Sequence, residues 1–309
     1  MTSYTITPES SPSNGRLRIC NIPGKAMTHG GKFHADDVFS GALLTILNPE
    51  IQIQRAFQVP EGYTGLVFDL GWGHFDHHQN GAPVRENGVP YAAFGLLWRE
   101  FGEEFLLRHC SKEDAAREFA RFDEQFVQPL DLDDNTGCGS DLASAIGVFN
   151  PSWDSSAEPD ECYREALAFA KTLLTKHFET IFATVRASRS VRKAYSNMKD
   201  HVVILPFYCP WKQVLAGTDA WFVVYPSQRG GFGAQTVPAR RGEGGSPYDF
   251  PAAWAGKSAV ELMALTGLAT IRFCHNNRFL TTTETQEDAI AACRLAIEAR
   301  EAKPAPDIT

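Results

Sequence analysis

After a polar leader, the chain alternates between short apolar runs and longer segments with a helical period. From Lys25 to Leu47 a turn-rich piece, THGGKFHADD, leads into VFSGALLTIL, and Asp36 and Asp37 stand at the helix start, where its dipole favours acids. IQIQRAF (51–57) and GLVFDLG (65–71) read as strands. The second ends in Asp69, the edge at which open α/β sheets keep their ligands. FGLLWREFG (94–102), EDAAREFARFDEQFV (113–127) and ECYREALAFAKTLLTKHFETIFATV (161–185) carry apolar residues at helical spacing. Strands alternating with helices up to about residue 150 predict an α/β fold with a parallel, doubly wound sheet.

The long helix, running to Lys199, reads as a connector. Beyond it HVVILP, WFVVYP, AQTVP and IRFC are strand candidates, and VELMALTG and QEDAIAACRLAIEARE are helices. This pattern predicts a second, smaller α+β lobe. The expected organisation is a frayed leader over 1–24, a first lobe with its connector helix over 25–195, and a second lobe over 196–309, the two lobes facing each other across a cleft.

Composition narrows the function classes. With 309 residues, 43% hydrophobic and 21% charged, the chain has the make-up of a two-domain globular protein and not of a disordered one. A net charge of -8 argues against a DNA-coating protein, so any nucleic-acid contact must be local. Seven scattered cysteines with no C-x-x-C pair read as reduced thiols, and the Ser/Thr/Pro-rich first nineteen residues do not resemble a secretory signal. No apolar stretch is long enough to span a membrane. The expectation is a cytoplasmic protein of enzyme size.

The candidate chemistry is concentrated near the N-terminus. Of nine histidines, His29, His34, His74, His77 and His78 fall within one fifty-residue window that also holds Asp36, Asp37, Asp69 and Asp76. Random placement would put about 1.5 histidines there. Imidazoles with carboxylates are what a divalent transition metal needs, neutral nitrogen donors plus anionic oxygens, and the lack of cysteine leans away from structural zinc. Four pieces stand out: His29-Gly-Gly-Lys-Phe-His34-Ala-Asp36-Asp37 on a loop leading into a helix; Asp69 at a strand end; Asp76-His77-His78; and LDLDDNTG (130–137), an acidic loop offering Asp131, Asp133 and Asp134 before a turn. Three adjacent ionisable groups at Asp76-His77-His78 are costly to bury without a metal or a partner.

This order of motifs resembles the DHH phosphoesterase superfamily, and THGGKFHADD, FDLG, FDHHQ and LDLDDNTG are similar to its melanocyte proliferating gene (Myg) branch, also labelled metal-dependent protein hydrolases. AQTVP, FPAAWAG and LTGLATIRFCHNNRF resemble that family's second-lobe landmarks, so the likeness runs from Lys25 to Arg300. The resemblance implies a two-lobe hydrolase holding two divalent ions, manganese or magnesium, in a DHH-like first lobe. It implies His29 and His34 on one ion, Asp36 and His77 on the other and Asp69 between them, with Asp134 first and Asp131 second as the acidic-loop ligand. His78 would face the substrate phosphate and Asp76 would orient His77. Two close ions can activate a bridging water and stabilise both oxygens of an in-line displacement at phosphorus.

The sequence departs from the family in two places. Only LGWGHF separates Asp69 from Asp76, and the family's glycine pair after the second-lobe histidine is replaced by His275-Asn-Asn-Arg-Phe-Leu. Substrate grip has two basic candidates: Arg186, Arg189, Arg192, Lys193 and Lys199 at the end of the long helix, and Arg240 with Arg241, suited to a bidentate phosphate contact. Trp72, beside the cluster, is the best base-stacking candidate, while Trp211, Trp221 and Trp254 read as packing residues. The leading expectation is a dinuclear-metal phosphodiesterase acting as an exonuclease on RNA or short oligonucleotides. The alternatives are a nucleotide or polyphosphate phosphohydrolase and a catalytically silent metal-binding regulatory module. A peptidase is disfavoured because no H-E-x-x-H helix is present. A homodimer is compatible with each.

Overall fold

The computed structural model describes residues 17–239 and 248–301. The chain divides into two compact units, the first closing at Phe182 and the second opening at Ala183. In the first unit β1 (Lys25–His29) lies between β2 (Gln52–Ala56) and β3 (Leu66–Val67) in a three-stranded, all-parallel sheet. Ala26, Met27 and Thr28 of the central strand are all buried, as a strand covered on both faces requires. Because the strands are parallel, their C-terminal ends share one edge, and that edge places His29 near the residues that follow β3.

Helix α1 (Ala35–Leu47) is buried on nearly every side and packs against α2 (Ala93–Leu107). Helix α3 (Lys112–Phe122) passes through a single π-helical turn, Asp123–Val127, into α4 (Gln128–Thr136), and α5 (Asp141–Gly147) follows. The expected acidic loop is therefore helical. Pro129 suits the first turn of α4, Leu130 and Asp131 are buried on it, and Gly137, at φ 65°, ends it in the left-handed conformation that glycine adopts freely.

The long helix is α6 (Pro159–Tyr195), and the division between units falls inside it instead of at its end. Its packing explains why: Tyr163, Ala166, Ala170, Leu174, Phe178 and Ile181 join the first core, whereas Val191 joins a cluster with Val203, Leu205 and Trp211. The second unit holds a mixed sheet in the order β4 (Val202–Ile204), β5 (Phe222–Pro226), β6 (Phe232–Thr236), β8 (Leu280–Thr283), β7 (Ile271–Cys274). The β4–β5 pair is parallel and the others antiparallel. The short α7 (Lys212–Leu215) precedes β5, and α8 (Ala259–Thr266) and α9 (Gln286–Glu301) pack on the strands.

Strand β8 has no aliphatic alternation to announce it. Its buried residues are Thr281 and Thr283, whose hydroxyls donate to the carbonyls of Phe273 and Thr285 at 2.6 and 2.7 Å. The turn before it, residues 275–279, contains no glycine, and Arg278 takes the left-handed conformation at φ 59°. Trp211 and Trp254 are buried, and half-buried Trp221 is stacked between His201 and Tyr248. No described helix is long and apolar enough to cross a membrane, and no disulfide joins any of the seven cysteines, all of them among the described residues.

Candidate metal centre

The loop from His29 to His34 is fixed from several sides. Gly31 takes φ 79°, a conformation that strains a side chain. Its carbonyl accepts from the Arg55 guanidinium at 2.6 Å, and the Asn150 amide both accepts from the Phe33 N–H (3.0 Å) and donates to the Phe33 carbonyl (2.9 Å). His34 then caps α1, its N–H donating to Asp37 Oδ1 at 3.1 Å. Asp36 and Asp37 occupy the first turn of that helix, fully buried.

Asp69 follows β3 in a tight loop. It adopts φ 52°, which Asp tolerates better than most residues, and its N–H donates to the Phe75 carbonyl at 2.9 Å. The carboxylate lies between imidazoles: Oδ2 is 3.2 Å from His29 Nε2, and Oδ1 is 3.5 Å from His77 Nδ1 and 3.6 Å from His78 Nδ1. His77 Nε2 reaches Asp134 Oδ2 at 2.9 Å, and His34 Nδ1 lies 3.9 Å from Asp134 Oδ1. Asp36, Asp69, Asp134, His29, His34 and His77, drawn from four separated stretches, thus converge.

Three details differ from the sequence expectation. Donor atoms close enough to share an ion fall into three groups, His29 with Asp37 and Asp69, His34 with Asp36 and Asp134, and Asp69 with Asp76, His77 and His78, so that His29 and His34 fall into separate groups although their ring centroids are 5.9 Å apart. Asp76 orients His78 and not His77: its Oδ1 accepts from His78 Nδ1 (2.7 Å) and the His78 N–H (3.1 Å), and its Oδ2 from the Trp72 N–H (2.6 Å). Asp131 is outside the cluster. It sits one turn before Asp134, where α4 packs on α2, buried 2.8 Å from Arg85 and accepting from the Gly95 N–H at 3.0 Å. A Cβ on Gly95 would fall 1.8 Å from its carboxylate, so glycine is required there.

Asp37 is the member that sequence reasoning used only as a helix-start acid. Its Oδ2 lies 3.1 Å from His29 Nε2. The signal was present in the paired Asp36-Asp37, but an acid at this helix position is explained equally well by capping.

The electrostatics are those of an anionic cage. Burial pushes Asp36 well above the usual carboxylate range, and the neighbouring carboxylates of Asp69, Asp134 and Asp37 push it further. Burial also raises Asp37. Burial lowers His29, but hydrogen bonds to Asp37 and Asp69 prevail and raise it to about 10. Asp36 Oδ1, Asp69 Oδ1 and His77 Nδ1 are buried without a hydrogen-bond partner. Orphaned donors and acceptors of this kind are rare in native proteins, and divalent cations coordinated by nitrogen and oxygen would satisfy them and offset the carboxylate charge. The residues fit such ions.

A cavity of about 430 Å³ opens over the cluster, lined by His29, His34, Asp69, Trp72, Asp76, His78, Asp134 and Lys32. His78 and Trp72 are exposed at its rim, Trp72 in the left-handed conformation at φ 58°. Lys32 is exposed and has no ion pair among the described residues, and the sequence reading did not single it out. Arg240 and Arg241 lie outside the described residues.

Several curated proteins are similar along most of this chain. A MYG1 exonuclease of Homo sapiens is 24% identical, covering 97% of this chain and 93% of its own length. A MYG1 protein of Chlamydia trachomatis is 29% identical over 90% of this chain and 98% of its own, and one of Dictyostelium discoideum 25% over 85% and 93%. No solved structure matches. The family model described as "Uncharacterised protein family (UPF0160)", the MYG1 exonuclease model, matches residues 25–297, a span that contains every residue of the cluster, and the chain belongs to that family.

Proposed function

We propose that this chain is a dinuclear-metal phosphodiesterase of DHH type, acting as an exonuclease on RNA or short oligonucleotides. The observation that carries the reading is Asp69, a buried carboxylate between His29 and His77 with one oxygen unpartnered, at the C-terminal edge of a parallel sheet. Relatives named MYG1 exonuclease support the nuclease class. The DHH-like doubly wound arrangement belongs to the same proposal, as does a reducing, cytoplasmic setting, which cysteines without disulfides suit.

In this reading His29, His34, Asp36, Asp69, His77 and Asp134, with Asp37 added, hold two divalent cations, manganese or magnesium. Such ions supply a water acidified to hydroxide near neutral pH and charge stabilisation at the phosphoryl oxygens. The chain's own residues do the rest. The Nδ1 of His78 is committed to Asp76, which leaves Nε2 turned to a phosphate oxygen, and Asp76 anchors both His78 and the Trp72 backbone. Lys32 provides a cation at the same cavity, and Trp72 a face on which a base can stack. Water adds at phosphorus, the P–O ester bond breaks, and the leaving alkoxide takes up a proton.

The test is full-length protein stripped of metal and assayed on a single-stranded oligoribonucleotide with and without Mn²⁺. Stepwise nucleotide release that requires the metal is expected. Turnover confined to mononucleotides or polyphosphates would replace the substrate class, and turnover undiminished by chelation would end the metal reading. Two rim variants refine it. Trp72→Ala should raise KM for the oligomer by roughly tenfold, from the loss of one stacked base. Lys32→Ala should raise it about tenfold through a lost charge-assisted hydrogen bond. Steady-state kinetics that leave KM unchanged in both would remove them from the substrate site.

A further inference from the structure

The C-terminal part of α6 carries a face that the centre described above does not use. Arg186, Arg189 and Lys193 are exposed at i, i+3 and i+7, which places them on one side of the helix, opposite the buried Thr184, Ser188 and Val191. They rise along the axis by about 4.5 and 6 Å in succession. None of the three has an ion pair among the described residues. Not one Asp or Glu occurs between Glu179 and Asp200, in a chain with 37 acidic and 29 basic residues. The flanking acids are engaged: Glu179 with Lys176 at 2.8 Å, Asp200 with Arg294 at 3.4 Å, and Asp219 as acceptor for Tyr195.

Complementing the helix dipole does not explain this stripe. That effect is confined to the last turn, and α6 ends at Tyr195, so Arg186 and Arg189 lie too far back to benefit. Self-repulsion among unpaired cations on one face costs free energy, which an extended polyanion would offset. The exposed residues beside the stripe, Ser196 and Asn197, are polar, so the face lacks the apolar wedge by which a helix enters a bilayer.

We propose that Arg186, Arg189 and Lys193 form a track for the phosphate backbone of single-stranded nucleic acid. The proposal deepens the reading above by naming a polynucleotide, and it rests on that reading only for the choice of polyanion. Contacts of this kind carry no sequence information and are strongly salt-dependent.

The experiment uses full-length protein with Mn²⁺ and a fluorescein-labelled thymidylate dodecamer with phosphorothioate linkages, which slow cleavage, read by anisotropy across salt concentrations. Three phosphate contacts on a single strand contribute about 2 to the log–log salt slope, so R186Q/R189Q/K193Q should flatten it by about 2. Between about 50 and 200 mM salt the wild type should therefore lose about twentyfold more affinity than the variant. R186K/R189K, which keeps the charges, should behave as wild type. A dinucleotide with one phosphate should be hydrolysed equally by both proteins. Salt-dependent binding through the stripe without hydrolysis of any oligomer would uphold the track and remove the phosphodiesterase assignment. Unchanged affinity and slope in the triple variant overturns the track, as does retained oligomer binding with loss of binding to phosphatidylserine vesicles.

Discussion

Asp69→Asn is expected to lower metal-dependent phosphodiester hydrolysis by more than about a hundredfold while leaving the chain folded. Groups that merely orient a metal ligand already cost 10- to about 100-fold when removed, which sets a floor for a carboxylate lying between two imidazoles. Asparagine is the informative substitution because Asp69 sits at φ 52°, a conformation that Asn adopts as readily. Without metal the variant should differ little in stability from wild type, since removing one negative charge relieves Asp36 and Asp37 but weakens the partner of His29. With Mn²⁺ the variant should be clearly the less stable. A cation that binds only the folded chain stabilises it by about 2.7 kcal/mol at a hundredfold excess over Kd, and the variant forfeits most of that. Thermal melts with and without Mn²⁺ read this directly, and His77→Ala should likewise forfeit most of the Mn²⁺-induced rise. If Asp69→Asn keeps both the Mn²⁺-induced rise in Tm and wild-type turnover, the centre is not where hydrolysis occurs.

The parts of this centre that the sequence displays are those in which unlike ionisable groups are crowded into a few residues. His29 to Asp37 and Asp76-His77-His78 could be found by inspection, because no packing arrangement favours such density without a ligand. The division of labour within the motifs was hidden. Asp76 and His78 are only two residues apart, yet the hydrogen bond that joins them depends on a loop whose Trp72 N–H also converges on Asp76. In α4, acids at three of nine positions mask the helical period, and a π-helical turn shifts the register just before it. Strand β8 was missed because threonines, and not aliphatic residues, make its buried face. The fate of Asp131 was out of reach, since its partners, Arg85 and Gly95, come from distant parts of the chain.

That pairing gives the largest expected loss of stability. Arg85 donates to both oxygens of Asp123, at 2.9 and 2.7 Å, reaches Asp131 at 2.8 Å, and stacks over Tyr91 at 3.8 Å. Arg85→Met retains much of the apolar stem and removes the charge, leaving Asp131 fully buried with no cation. Breaking a buried pair from one side costs about 3 to 5 kcal/mol, which at a urea slope of about 3 kcal/mol/M corresponds to a fall of about 1 to 1.7 M in the midpoint. The loss should depend on pH in a defined direction. In the wild type burial raises Asp131 to about 7 although Arg85 pulls it down. Without Arg85 the carboxyl moves higher still, far above its unfolded value of about 3.9. The folded variant then holds a proton that the unfolded chain has shed, so its stability falls as pH rises. Well below about pH 7 Asp131 is neutral in both proteins, and above it only the wild type ionises against a partner. The deficit should therefore be larger at about pH 8 than at about pH 6, and adding Asp131→Asn should recover most of it at the higher pH. A pH-independent deficit, or none, would mean that Asp131 does not depend on Arg85 for its charge.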